Sequence, residues 1–349
     1  MNAPEKIRLT QFSHGGGCGC KIAPAVLSEI LASTPIRGLP KELLVGTETA
    51  DDAAVYRLND TQALVATTDF FTPIVDDPHD FGRIAASNAI SDIYAMGGTP
   101  IMALAIVGMP LEKLPISVIQ RILEGGESVC AAAGIPIAGG HSIDTLEPIY
   151  GLVALGLIHP KKIKRNSSAK PGDVLILGKP LGIGILSAAL KKGKLSAGGY
   201  AQMIELTTKL NTPGQALAEM SAVHALTDVT GFGLAGHLLE VCRGSHLAAQ
   251  VSFEDLPIIE EAVSFAKQGI ATGASDRNWQ GYGAEVVLPA NFPEWKRKLL
   301  SDPQTSGGLL VACSSSVEKE ILDLFKKQGF RDARAIGRLG AGAARITVV

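Results

Sequence analysis

The stretch "FGRIAASNAISDIYAMGGTPIMALAIVGMP", Phe81 to Pro110, decides the fold class. The spacing predicts a helix from Phe81 to Met96: at about 100° per residue, Phe81, Ala85, Ala89, Ile93 and Met96 form one apolar arc. Gly97 and Gly98 end it. The run "PIMALAIVGMP" that follows reads as a buried strand. Asn88 and Asp92 fall inside the apolar arc, one turn apart, whereas Arg83, Ser87, Ser91 and Tyr94 lie on the opposite side. A carboxylate on a buried face is costly unless it is paired, hydrogen-bonded or bound to a metal. Asp92 therefore wants a cation, or else backbone amides or a distant arginine.

The same alternation extends outward. "KIAPAVLSEILAS" (Lys21 to Ser33) predicts a helix, and "QALVATTDFF" (Gln62 to Phe71) a strand with Asp69 at its end. "PISVIQRILEGGESVCAAAG" reads as a helix, "IPIAGGHS" (Ile135 to Ser142) as a strand breaking into a glycine turn, and "PIYGLVALGLI" as another strand. At "HPKKIKRNSSAKPGD" (His159 to Asp173) the composition turns basic and small, with a Pro-Gly turn, which marks a domain boundary. The expected division is a Gly/Cys segment with a first helix over 1–45, an α/β domain over 46–158 and a second α/β domain over 170–349. The fold class is α/β (α+β), in two domains.

With 349 residues the chain is long for a single core. Its 34 acidic and 32 basic side chains nearly cancel, so it lacks the basic excess of a nucleic-acid binder. The longest apolar runs fall short of the roughly 20 residues a membrane helix needs. "MNAPEKIRLTQ" has neither a signal-peptide core nor a transit pattern, so a cytoplasmic enzyme is expected. The cysteines, Cys18, Cys20, Cys130, Cys242 and Cys313, are odd in number and scattered beyond the first pair, which argues for reduced thiols.

Asp92 has company. Asp51 and Asp52 lie in a small-residue turn, Asp69 ends a strand, and Asp228 closes "VHALTD" before Thr-Gly-Phe-Gly. Each alone reads more readily as a cap or turn residue. As a set they suit Mg²⁺, a hard cation held by carboxylate oxygens and shared with substrate phosphates. No G-x-x-x-x-G-K-[ST] occurs, so a P-loop is absent. The glycine-rich turns "GGHS", "TGFG" and "TSGG" offer backbone amides to phosphate instead. In "SHGGGCGCK" (Ser13 to Lys21), Cys18-x-Cys20 has no second Cys/His pair at zinc-site spacing. Lys21 is expected to lower the Cys18 thiol pKa, which suits a nucleophilic or chalcogen-handling thiol.

"HGGGCGCK", "DDAAVY", "TTDFF", "FGRIAASNAISDIYAMGG", "AGGHSID", "LTDVTGFGLAGH" and "DPQTSGGLL" run through the whole chain in this order. In them the sequence resembles the selenophosphate synthetase (selenide, water dikinase) family. That family shares its fold with aminoimidazole ribonucleotide synthetase, thiamine-monophosphate kinase and a hydrogenase maturation protein: two α/β domains, the N-terminal ones pairing into a β-barrel in a homodimer. The resemblance implies that ATP, selenide and water give selenophosphate, orthophosphate and AMP, supplying activated selenium for selenocysteine and selenouridine. Several Mg²⁺ ions are then required, K⁺ helps, and a selenium-delivery protein is a further expected partner. Carried over by residue, Cys18 is the catalytic chalcogen position and Lys21 the essential lysine. Asp52, Asp92 and Asp228 are magnesium ligands, Asp69 and Asp92 face the nucleotide, Thr49, Ala50 and Asp51 line it, and Gly140, His141 and Ser142 reach its phosphates from the partner subunit. Cys20 reads as a passenger. Two rivals remain at this level: a kinase or ligase of the same fold with another nucleophile, and a chalcogen carrier that uses no ATP.

Overall fold

The computed structural model describes residues 7–13, 15–22, 26, 30 and 38–349. The helix expected over Lys21–Ser33 lies largely outside the described residues, as does His14. Two sheets organise the rest. The first has the order β1-β2-β3-β6-β4-β5, built from β1 (Leu43–Val45), β2 (Ala54–Arg57), β3 (Ala63–Phe71), β4 (Thr99–Met109), β5 (Ile137–Asp144) and β6 (Ile149–Ile158). The second contains β7 (Val174–Leu177), β8 (Val223–Asp228), β9 (Leu247–Val251), β10 (Val286–Val287), β11 (Leu309–Cys313), β12 (Arg334–Ala341) and β13 (Arg345–Val348), in the order β10-β13-β9-β12-β7-β11-β8.

Between the sheets runs the helix Pro78–Ala95. It starts before Phe81 because Asp77 caps it, accepting a bond from the Asp80 amide at 2.9 Å, with Pro78 in the first turn. It stops where the sequence says: Gly97 has φ +81°, and the Gly98 amide reaches back to the Ile93 carbonyl at 2.7 Å. The expectation of a polar outer side fails, however. Every residue from Phe81 to Ala95 except Arg83 is buried. Ser87, Ser91 and Tyr94 face the second half of the chain, where Asn211 donates to Ser91 Oγ at 2.7 Å and Ala95 joins a core with Leu217, Val223, Leu226 and Leu309. A helix covered on both sides needs no solvent face, and Ser91 bonds across the junction to Asp228 and Asn211.

The segment "IPIAGGHS" is also corrected. It does not break into a turn but continues as β5, paired in parallel with β4. Gly140 takes φ +154°, and a Cβ there would lie 2.1 Å from the Ala105 carbonyl oxygen, so the glycines allow an irregular pairing rather than a reversal. β5 is the sheet edge, and Ala138 to Asp144 are all exposed.

The helix Ile116–Ala132 packs on the central helix through glycines. A Cβ on Gly82 would stand 1.9 Å from the Ile122 carbonyl oxygen, and one on Gly125 2.1 Å from the His79 carbonyl oxygen. Gly82→Ala is expected to cost about 1–3 kcal/mol by forcing the helices apart. Gly281→Ala, in the helix Gly273–Tyr282 with nothing within 4 Å of the new methyl, is expected to be neutral or slightly stabilising. Urea unfolding of both variants checks this; an unchanged midpoint for Gly82→Ala would contradict the close packing.

Candidate active site

Four elements deliver the expected carboxylates to one place. Asp52 precedes β2, Asp69 lies in β3, Asp92 is in the last turn of the central helix, and Asp228 is the last residue of β8. Asp52, Asp92 and Asp228 each present an oxygen within 4.8 Å of the others. Each also takes one neutral donor: Thr227 Oγ1 donates to Asp52 at 2.8 Å, Thr67 Oγ1 to Asp92 and Ser91 Oγ to Asp228. Asp52 Oδ2 is buried with no hydrogen-bond partner among the described residues. Burial and mutual repulsion push all three carboxyls above the usual range. A buried oxygen without a donor, amid hard oxygen ligands only, fits a divalent cation of the Mg²⁺ type.

The Gly/Cys segment crosses directly over this cluster. Cys18 is 2 % exposed; its Sγ donates to Asn88 Oδ1 at 3.2 Å and its amide to Thr305 Oγ1 at 3.2 Å. The segment is fastened along its length: Arg8 and Thr10 to Asp76, the Gly17 amide to the Thr72 carbonyl at 2.8 Å, and Arg277 to the Gly19 carbonyl at 3.1 Å. Lys21 Nζ stands 4.0 Å from Asp69 Oδ1 and 5.9 Å from the centre of the Phe232 ring. Asp69 holds the Lys21 ammonium firmly protonated. The expected depression of the Cys18 thiol does not occur, because burial pushes it up further than Lys21 pulls it down. Cys20 is half-buried against Thr72 Oγ1 at 3.2 Å, away from these contacts.

Beside the cluster opens a cleft of about 990 Å³, lined by Thr49 to Ala54, Thr67, Phe232, Glu240, Arg243 and His246 among others. It is large enough for a nucleotide. Ala50 holds φ +50°, an uncommon value for a residue with a side chain. Asn166 fixes this turn by donating its side chain to the Ala50 carbonyl at 2.9 Å and its amide to Asp51 at 2.7 Å. Asp51 thus spends its carboxylate on the turn, while the turn itself faces the cleft. Gly140, His141 and Ser142 are not brought here. They lie on β5, three strand spacings from β3 or about 14 Å, and line a separate shallow cleft of about 350 Å³.

Two residues of the site are given no role from the sequence. Asn88 lies in the apolar arc beside Asp92 and links Cys18, Asp69 and the Ser306 amide. Lys179 is buried, bonds the Lys209 and Ser306 carbonyls at 2.7 and 2.9 Å, and is drawn down by burial to a pKa of about 7. It fixes the "TSGG" turn that receives Cys18, with Ser306 at φ +50°. A lysine after an apolar strand carries no sequence signal for that task; the Asn-x-x-x-Asp spacing on a buried face did carry one.

Fold and site together define a two-domain protein of the AIR synthase type. The family model described as AIR synthase related protein, N-terminal domain, matches residues 50–158, and the corresponding C-terminal domain matches 170–349. Among solved structures, a thiamine-monophosphate kinase from Stenotrophomonas maltophilia K279a superposes with a TM-score of 0.64 at 20% identity, covering 94% of this chain and 96% of that one. Hydrogenase maturation protein HypE in complex with ATP gives a TM-score of 0.63 at 18% identity over 92% and 90%. Closer in sequence is a "Selenide, water dikinase" of Paraburkholderia xenovorans (strain LB400), 63% identical over 98% of this chain and 97% of its own. Another from Dechloromonas aromatica (strain RCB) is 63% identical over 99% of both, and one from Rhizobium meliloti (strain 1021) 56% identical over 98% of both. The chain belongs to the selenide, water dikinase family.

Carboxyls raised by burial keep protons that the unfolded chain has already lost, so the folded state binds more protons and stability falls as pH rises from about 4. A bound cation reverses this. Mg²⁺ is therefore expected to raise the melting temperature more at pH 8 than at pH 6, by about 5 °C near a hundredfold excess over its dissociation constant. Asp92→Asn is expected to melt higher than wild type without divalent ions and to lose most of the Mg²⁺ response. Scanning fluorimetry reads both; a full Mg²⁺ shift in the variant would contradict the cation site.

Proposed function

We propose that this chain synthesises selenophosphate from selenide, ATP and water, releasing AMP and orthophosphate, a reading supported by the name "Selenide, water dikinase" of its 63%-identical relatives. The observation that carries the reading beyond the name is the strap: Cys18 and Lys21 close over three convergent carboxylates at the side of a nucleotide-sized cleft. In this reading ATP lies in the cleft along Thr49, Ala50 and Asp51, with its phosphates toward the cluster. Asp52, Asp92 and Asp228 would hold Mg²⁺, with Asp69 beside them. The bound ions supply charge neutralisation for the phosphates.

The chain's own residues do the rest. Lys21, kept protonated by Asp69, faces the negative charge that builds as selenide attacks the γ-phosphorus and ADP leaves. Cys18 marks where selenide is received. It is covered in the closed strap, so the Gly15–Gly17 stretch must lift to admit selenide and then shut water out of the first step. Water subsequently attacks the β-phosphorus of the retained ADP, and AMP departs. Activated selenium then serves selenocysteine and selenouridine formation.

The assembly belongs to the same proposal. β5 is an exposed edge strand with Ile143 57 % exposed, and pairing it with a second copy covers that edge and offers Gly140, His141 and Ser142 to the partner's phosphates. A homodimer in the cytoplasm, aided by K⁺ and fed by a selenium-delivery protein, completes the reading. No helix among the described residues is long and apolar enough to cross a membrane.

³¹P NMR of a reaction with ATP, Mg²⁺ and selenide is expected to show AMP, orthophosphate and a selenophosphate resonance, all dependent on selenide. Cys18→Ala is expected to abolish the selenophosphate signal, and Lys21→Met to lower kcat/KM by about 10²–10³. ADP as the final product would point to an ordinary kinase, and full activity in Cys18→Ala would remove that thiol from the chemistry.

A further inference from the structure

One wall of the cleft is the helix Gly233–Ser245. The wall begins at Phe232, whose ring lies under Lys21 at the carboxylate end, and passes Glu240 to Arg243, Gly244 and His246. At 1.5 Å per residue, Glu240 stands about 10 Å along the axis from Gly233, and His246 about 20 Å. A nucleoside triphosphate anchored by its phosphates at the cluster and extended along this wall passes Glu240 with its middle and the 243–246 region with its far end.

Glu240 is held for a purpose the phosphates cannot serve. Its Oε2 lies 2.9 Å from His237 Nδ1. His237 is buried, stacked on Phe232 at 5.6 Å and in contact with Thr230 Oγ1 at 3.2 Å through Nε2, so the carboxylate stands beside a fixed ring without a formed hydrogen bond to it. Oε1 has no hydrogen-bond partner among the described residues. An ionised carboxylate accepts hydrogen bonds only. It repels phosphate, and on a nucleotide it suits the sugar hydroxyls or an exocyclic amine. The position between the phosphate end and the far end of the wall selects the sugar.

We infer that Glu240 accepts hydrogen bonds from the ribose hydroxyls of the nucleotide and makes the chain select ribonucleotides over 2′-deoxyribonucleotides. This rests on the ATP-using reading above. Arg243 does not compete for the role, because it is bonded to Glu285 through both Nε and a terminal nitrogen.

The test is selenide-dependent AMP formation from ATP, 2′-deoxyATP and ITP. Wild type is expected to favour ATP over 2′-deoxyATP by about 10- to 100-fold in kcat/KM, the range of one hydrogen bond to a charged group. In Glu240→Gln this ratio is expected to shrink to about threefold or less, chiefly through a rise in KM for ATP, with a smaller rise for 2′-deoxyATP, which keeps only the 3′ hydroxyl. Equal use of both nucleotides by wild type, or an unchanged ratio in Glu240→Gln, overturns the inference. A variant that changes only the ATP-to-ITP preference places the carboxylate on the base and overturns it equally. Wild type that forms no AMP from any nucleotide defeats the ATP-using reading itself, and the inference with it. Should Glu240→Gln not fold, the melting shifts of wild type with ADP and 2′-deoxyADP in Mg²⁺ decide, and identical shifts across a concentration series overturn the inference.

Discussion

Like charge gathered inside the protein is the constraint on which the rest depends. Asp52 and Asp92 come from the first half of the chain and Asp228 from the second, and their oxygens lie within 4.8 Å of one another at a buried junction. In a low-dielectric interior such a group is tolerable only protonated or gathered about a cation. The neutral donors from Thr67, Ser91 and Thr227 satisfy single oxygens and leave the charge uncompensated. The central helix, buried on both sides, carries Asp92 and positions it against both sheets at once. Cation affinity and the junction between the halves are thus one physical problem.

The strap follows from the same arrangement. Its lysine is drawn to Asp69 and its thiol is packed against Asn88 beneath the segment's own backbone. Burial dominates the thiol: the thiolate would lose more hydration than the neighbouring Lys21 ammonium returns to it. Beneath the strap the thiol is covered, and burial holds its pKa above the usual range.

Much of this was legible in the sequence, for identifiable reasons. The strands and the central helix announced themselves because long apolar runs and a glycine-terminated 3.6-residue period leave few alternatives. The carboxylates could be suspected as a set because Asp92 sat in an apolar arc and Asp69 and Asp228 near strand ends. What could not be read was everything set by packing across the junction. Ser87, Ser91 and Tyr94 have the look of a solvated face until the second half covers them. "AGGHS" has the composition of a turn, yet β4 is available to pair with it, and the glycines relax into a strand. Lys179 bonds the Ser306 carbonyl, far away in sequence, and no local pattern marks it. The thiol pKa was misjudged because neighbouring charge is visible in a sequence and burial is not.

The central claim is that both halves of the chain jointly hold a divalent cation through Asp52, Asp92 and Asp228. Anomalous diffraction from crystals of the full chain grown with Mn²⁺ and a non-hydrolysable ATP analogue tests it most directly. An anomalous peak bonded to all three carboxylates is expected at the inner end of the cleft. Peaks only elsewhere, with these three carboxylates unligated while the analogue occupies the cleft, would contradict it.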